Sequence, residues 1–353
     1  MSIYINATGA ISPQPTADNS RFLEEPVSIQ GNRLRAIDPG YKEYIPPDLI
    51  RRMGRIIKMG VAASRICLKE AGCEVPEAII TGTGLGCIED TEKFLGTMVR
   101  NKEEFLTPTS FIQSTHNTVG AQIALLLKCH GYNFAYVHRG LSFESALSDA
   151  MMRLGNGHES NVLVGGIDEM TDHSFTIMER LGHWKRNTVN SLNILEDTTR
   201  GTIAGEGAAF FFLEREKRPG TYAEIRNAEM LPFPGIPDET GRKILAFLEL
   251  NGLVPGDIDL VISGMNGDPA NDGVYRQVLG EHFPKQPKAC FKHLCGEYMT
   301  ASSFGMWLGS KIIRHNSVPG AVLMTHPPAK PDHLLIWNHY RNTHHSLILL
   351  SRA

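Results

Sequence analysis

The chain has 353 residues, enough for about two domains' worth of core or one large duplicated domain, and its composition of 42% hydrophobic and 21% charged residues is ordinary for a soluble globular protein. A formal net charge of -3 gives no electrostatic footprint for nucleic acid, and no apolar run approaches the roughly 18 residues that span a bilayer. The six cysteines, Cys67, Cys73, Cys87, Cys129, Cys290 and Cys295, form no disulfide framework, and the opening "MSIYINATGA" lacks the basic and apolar regions of a signal peptide, so a reducing, cytoplasmic setting is expected.

Along the chain, helical and strand periods alternate. Met59, Ala62, Ala63, Ile66 and Cys67 recur at helical spacing, with Gly72 placed as a stop, which predicts a core-facing helix. The short runs "AIITGTGLG", "NVLVGGIDE", "GAAFFFLE", "DIDLVISGMNG" and "GAVLMTH" have the length and composition of buried strands, so the class is α/β. Between the first and second of them, "AYVHRGLSFESALSDA" (135–150) reads as strand, tight turn and helix, with Gly140 at the bend where an enzyme often presents a nucleophile. The charged, Pro/Gly-ended "REKRPG" (215–220) reads as a connector, dividing the chain into 1–214 and 215–353. Each part leads from strand through loop to long helix, which suggests a duplication, although the two parts share no evident sequence identity.

Several stretches, taken in order, resemble the β-ketoacyl synthases: "IYINATGAISPQ", "GTGLGCIEDTEKFL" (82–95), "TPTSFIQSTHNTVGAQIAL" (107–125), "GGIDEMT" (165–171) and "EDTTRGTIAGEGAAFFFLE" (196–214). The resemblance covers nearly the whole chain and implies a thiolase-like fold, a duplicated αβαβα arrangement of five layers. In that family a Cys at a helix N-terminus attacks an acyl thioester, and two His residues stabilise the enolate formed on decarboxylation. Matching "ALSDA" to the helix after the family's Cys puts Gly140 in the Cys position. "VISGMNGDPAND" keeps Asn271 and Asp272 but puts Asn266 where the first His belongs, and "KHLCGEYMTAS" keeps Lys292 and Gly296 but puts Glu297 where the second belongs. The family's Gly-Phe-Gly-Gly-x-Asn loop reads "HYRNTHH" (339–345), bulky residues in a turn that needs unusual backbone angles. The resemblance thus implies a lost triad, and a Glu at 297 would repel an anionic enolate unless it were protonated.

Other groups offer less. Ser142 near the bend is not in a Gly-x-Ser-x-Gly elbow and reads as a helix cap, while Cys295, beside Gly296 and Glu297, reads as a buried free thiol before it reads as a nucleophile. Lys292 and Glu206 match polar residues that support the family's site, and they are expected to persist in buried hydrogen bonds. The Cys129-His130, His293-Cys295 and His344-His345 pairs lack metal-ligand spacing, and "GTGLG" lacks the spacing of a dinucleotide loop. His138 and Arg139 either touch a carrier protein's phosphate or cap strand ends. No cofactor is expected, beyond a phosphopantetheine-linked acyl carrier protein as substrate or partner.

Three functions compete. The first is a non-catalytic subunit, similar to the chain-length factors that pair with an active ketosynthase in polyketide and aryl-polyene pathways. The second is a divergent acyltransferase or decarboxylase using Glu297, Lys292 or Cys295. The third is a homodimeric acyl-binding or scaffold protein.

Overall fold

In the computed structural model, which describes residues 2–232 and 236–353, ten strands form one continuous sheet. They are β1 (Ile3–Ile11), β2 (Ala78–Gly82), β3 (Tyr132–Tyr136), β4 (Asn161–Asp168), β5 (Gly207–Glu214), β6 (Ala223–Pro232), β7 (Leu260–Ser263), β8 (Lys288–Cys290), β9 (His333–Tyr340) and β10 (His344–Ser351). Their order across the sheet is β8-β7-β9-β10-β6-β1-β5-β4-β2-β3. From each edge inward the sequence of strands is the same, third, second, fourth, fifth, first of its half. The pairing is also the same, with the outer three strands parallel and the inner contacts antiparallel. The halves meet where Ile3, Tyr4 and Ile5 of β1 run antiparallel to Ile225, Glu224 and Ala223 of β6. The fold is the thiolase-like duplication, legible in topology where no sequence repeat is.

Among the described residues seven helices run ten residues or longer: α1 (Arg55–Ala71), α2 (Ile88–Arg100), α3 (Thr118–Leu127), α4 (Ser142–Gly155), α5 (Pro237–Leu250), α6 (Pro269–His282) and α7 (Ser302–His315). Three apolar clusters show how they stack. α1 and α3 bury Met59, Ala63 and Ile123 against the outer face of the first half, and α5 and α6 bury Phe247 and Tyr275 against the outer face of the second. α4 and α7 lie between, where Phe143, Leu147, Trp307 and Ile312 share one core. β5 is buried along its whole length, as a strand covered on both faces must be.

The predicted core helix is α1, and it ends as expected: Gly72 is left-handed (φ 62°) and its N–H reaches the carbonyls of Leu68 and Lys69. "GTGLG" follows β2 as strand-end packing, because a Cβ at Gly82 would lie 2.4 Å from the Ser142 carbonyl oxygen at the start of α4. One expected strand is absent. "GAVLMTH" begins with a 3₁₀ turn, Gly320–Val322, and only Leu323 bridges to Ala289. Pro319 and the Pro327-Pro328 pair remove the donors a ladder needs at both ends, and β8 offers only three residues to pair with.

Candidate functional site

Four segments emerge from carboxyl ends of strands and carry the positions singled out in the sequence: β3 into α4, β7 into α6, β8 into residues 292–297, and β9 into the turn to β10. At the first, Gly140 lies in a 3₁₀ turn, Arg139–Leu141, with no room for a side chain. A Cβ there would lie 2.3 Å from the Tyr340 Cβ and 2.9 Å from its Cγ, closer than real Cβ atoms approach. Tyr340, at the end of β9, occupies the space that a nucleophile at 140 would need. Its phenol is pushed up to about 12, chiefly by burial and next by the Glu297 charge.

Tyr340 is held by a turn without glycine. Arg341 and Asn342 both adopt left-handed angles, φ 54° and 52°. Two buried imidazoles pin them. His339 Nδ1 accepts from the Asn342 N–H (3.2 Å), which leaves Nε2–H to donate to the Asn271 carbonyl (3.0 Å). His345 Nδ1 accepts from the Trp337 indole (3.2 Å), and its Nε2–H donates to Asn342 Oδ1 (2.9 Å). Burial keeps both rings neutral, driving His339 well down and His345 to about 3.

Behind the turn, Lys292, Glu297 and Asn266 meet. Lys292 Nζ donates to both Glu297 oxygens (2.9 and 2.8 Å) and to the His339 carbonyl (2.9 Å), so its three protons are used. Asn266 Nδ2 donates to Glu297 Oε2 (2.6 Å), while its Oδ1 accepts from the Asp268 N–H (3.1 Å), fixing the amide's orientation. The Asn266 and Gly267 N–H groups in turn bind Asp272 (2.9 Å each), whose carboxyl burial raises to about 6. Glu297 is 4% exposed and paired on both oxygens, so at the positions matched to the family's two His residues a buried carboxylate and the amide that serves it stand in place of two imidazole donors.

Residues 13–218, more than half of the chain, match the family described as Beta-ketoacyl synthase, N-terminal domain. The chain belongs to the β-ketoacyl synthase family. It is similar to 3-oxoacyl-[acyl-carrier-protein] synthase 2 of Mycobacterium bovis and Mycobacterium tuberculosis, 24% identical over 78% of this chain and 72% of the relative. It is also similar to a putative polyketide beta-ketoacyl synthase 1 of Streptomyces virginiae, 20% identical over 74% of this chain and 69% of the relative. Among solved structures, a ketosynthase in complex with its chain length factor from Xenorhabdus doucetiae superposes with a TM-score of 0.81, at 16% identity, covering 100% of this chain and 98% of the other. The ishigamide ketosynthase/chain length factor gives 0.80, at 19% identity and 100% and 99% coverage.

In this β-ketoacyl synthase-family chain the alternative nucleophiles are committed elsewhere. Ser142 Oγ donates to the Arg139 carbonyl (2.7 Å) and accepts from the His138 N–H (2.8 Å), which is capping of the bend; His138 and Arg139 themselves are exposed. Cys295 is buried, its Sγ donates to the Gly296 carbonyl (3.3 Å), and burial pushes the thiol well up. Iodoacetamide added to the native protein should therefore label half-buried Cys73 and Cys129 and spare Cys295 until unfolding, read by peptide mass spectrometry; labelling of native Cys295 would restore it as a candidate nucleophile.

Glu206 is not joined to Lys292. It pairs with Arg55 and accepts from the Ala36 and Met170 N–H groups (3.0 and 2.9 Å), a separate network. Asp168 of the "GGIDEMT" turn instead ties the halves together, accepting from Gly84 N–H and Thr83 Oγ1 on one side and from Thr300 N–H and Oγ1 on the other. What remains open near Glu297 is a polar cavity of about 170 Å³ and an apolar one of about 60 Å³, with Glu297, Tyr340 and Trp184 lining both. Tyr340, Arg341 and Trp184 were not singled out individually in the sequence. The signal for Tyr340 was present as a size exchange, an aromatic in the glycine-rich turn against a glycine at the nucleophile position.

Proposed function

We propose that the chain is a non-catalytic β-ketoacyl synthase-like subunit, similar to a chain-length factor, that pairs with an active, Cys-bearing ketosynthase. The observation that carries this reading is Tyr340 packed on Gly140: the nucleophile's space is filled from the opposite half of the fold. The neutralised Lys292–Glu297–Asn266 network supports it, since a closed ion pair offers an enolate nothing. On this reading residues 1–214 and 215–353 are two halves of one subunit working in the cytoplasm. The pair would act on chains carried by acyl carrier protein in fatty acid, polyketide or aryl-polyene synthesis.

A partner has a surface to meet. β3 is one of the sheet's two edge strands and carries neither Pro nor Lys to block pairing. Its Tyr132, Phe134 and Tyr136 form an aromatic ladder, and Phe134 is 47% exposed, with Val137 and Leu125 also exposed. Described residues of the chain leave that edge unpaired, and strand addition by a second subunit would satisfy it. Mixing the purified chain with a candidate ketosynthase should give a heterodimer by light scattering after gel filtration. On incubation with an acyl carrier protein thioester, intact-mass analysis should find the acyl group on the ketosynthase alone. A monomer that persists beside the synthase, or an acyl mass on this chain, would overturn the reading.

A further inference from the structure

The polar cavity beside Glu297 is lined by two arginines, Arg200 and Arg341, and by His183. Neither Arg200 nor Arg341 makes a hydrogen bond or ion pair with a described residue. Both lie close enough to His183 to help burial hold its imidazole below the usual range. The carboxylates on the same wall are committed. Glu297 is neutralised by Lys292, and Asp268 caps α6 by accepting from the Ala270 N–H (3.1 Å) and takes a second bond from Asn271 Nδ2 (3.3 Å). Asp268 keeps its negative charge, and against it stand Arg200 and Arg341, which leaves the cavity with a surplus of positive charge. Trp184, which also lines it, has a buried indole N–H without an acceptor among the described residues.

The His339 and His345 bonds to Asn342 fix the backbone of the turn from which Arg341 projects. At about 170 Å³ the space holds roughly five waters' volume, room for one small polar group and too little for an extended acyl chain. Forked guanidinium donors on a cavity of this size match the oxygens of a phosphate. We propose that Arg200 and Arg341 clamp a phosphate group in this cavity, with His183 beside it. The site stands whether or not the chain pairs with a ketosynthase. Its ligand is either free phosphate or the phosphate of a small ester.

The test is a titration of the intact, ¹⁵N-labelled chain with inorganic phosphate at constant ionic strength, following the indole N–H resonances. Trp307 and Trp337 are buried at 1% and 0% exposure, and Trp184→Phe assigns the third signal. The Trp184 resonance should shift saturably, and Arg200→Gln and Arg341→Gln should each weaken binding by about tenfold or more. Both arginines are exposed, so these variants should keep the native circular dichroism and, if the pairing reading is right, still bind the ketosynthase. Methyl phosphate as tight as inorganic phosphate would support an ester as the ligand, and exclusion of methyl phosphate would support the free ion. A non-saturable response, wild-type affinity in both variants, or acetate binding as tightly as phosphate would overturn the assignment.

Discussion

Gly140→Cys is expected to cost about 1–3 kcal/mol of stability and to gain no acyl-enzyme, although it restores the thiol at the family's nucleophile position. The new Cβ would meet Tyr340 Cβ at 2.3 Å, and relief requires moving β9's end or the α4 bend, both buried. The cost should nearly vanish in a Tyr340→Gly background, which removes the Cβ as well as the ring, so the pair shows a large coupling in a double-mutant cycle by urea unfolding. Even there, Glu297 is an acceptor held by Lys292 and Asn266 is engaged with it, so the family's two imidazole donors stay missing, and intact-mass analysis should show no acyl adduct. A Gly140→Cys chain as stable as the parent would mean that Tyr340 does not fill the site, and an acyl adduct would return the chain to the enzymes.

Lys292→Met should be more damaging, about 3–5 kcal/mol, because it strands the Glu297 carboxylate at 4% exposure and frees the His339 carbonyl. The double variant Lys292→Met/Glu297→Met removes both charges and should recover most of the loss, since buried ion pairs exchange for apolar pairs at little net cost. The residual deficit belongs to Asn266 Nδ2 and the His339 carbonyl, each left without a partner. Equilibrium unfolding of the two variants separates these contributions. A Lys292→Met chain of unchanged stability would overturn the reading of Lys292 and Glu297 as a stabilising buried ion pair.

Much of the site could be read from residue order. The runs that became β2, β4, β5 and β7 were recognisable because strands buried on both faces need apolar residues at every position. "GAVLMTH" has the same composition and makes no strand, because Pro319 and Pro327-Pro328 withhold donors and because it meets an edge three residues long. Composition registers the first constraint and carries no record of the second. Similarly, Gly140 and Glu297 stood out as departures from a motif, but the sequence supported opposite expectations for Glu297. It could repel an enolate, or act as an acid or base. Its actual state follows from Lys292 and Asn266, 5 and 31 residues away, arriving on its two oxygens.

The sequence by itself determined the class, the family likeness and the absence of a thiol at the bend, since each rests on residue identity or on spacing within one element. Tertiary structure alone decided that the halves share one strand order, that Tyr340 fills the space over Gly140, and that Arg200 and Arg341 line one cavity. Those facts join residues more than a hundred positions apart. Which side chains meet at such distances is set by how the two halves of the sheet and their shared helices pack, and no local pattern of polar and apolar residues encodes it.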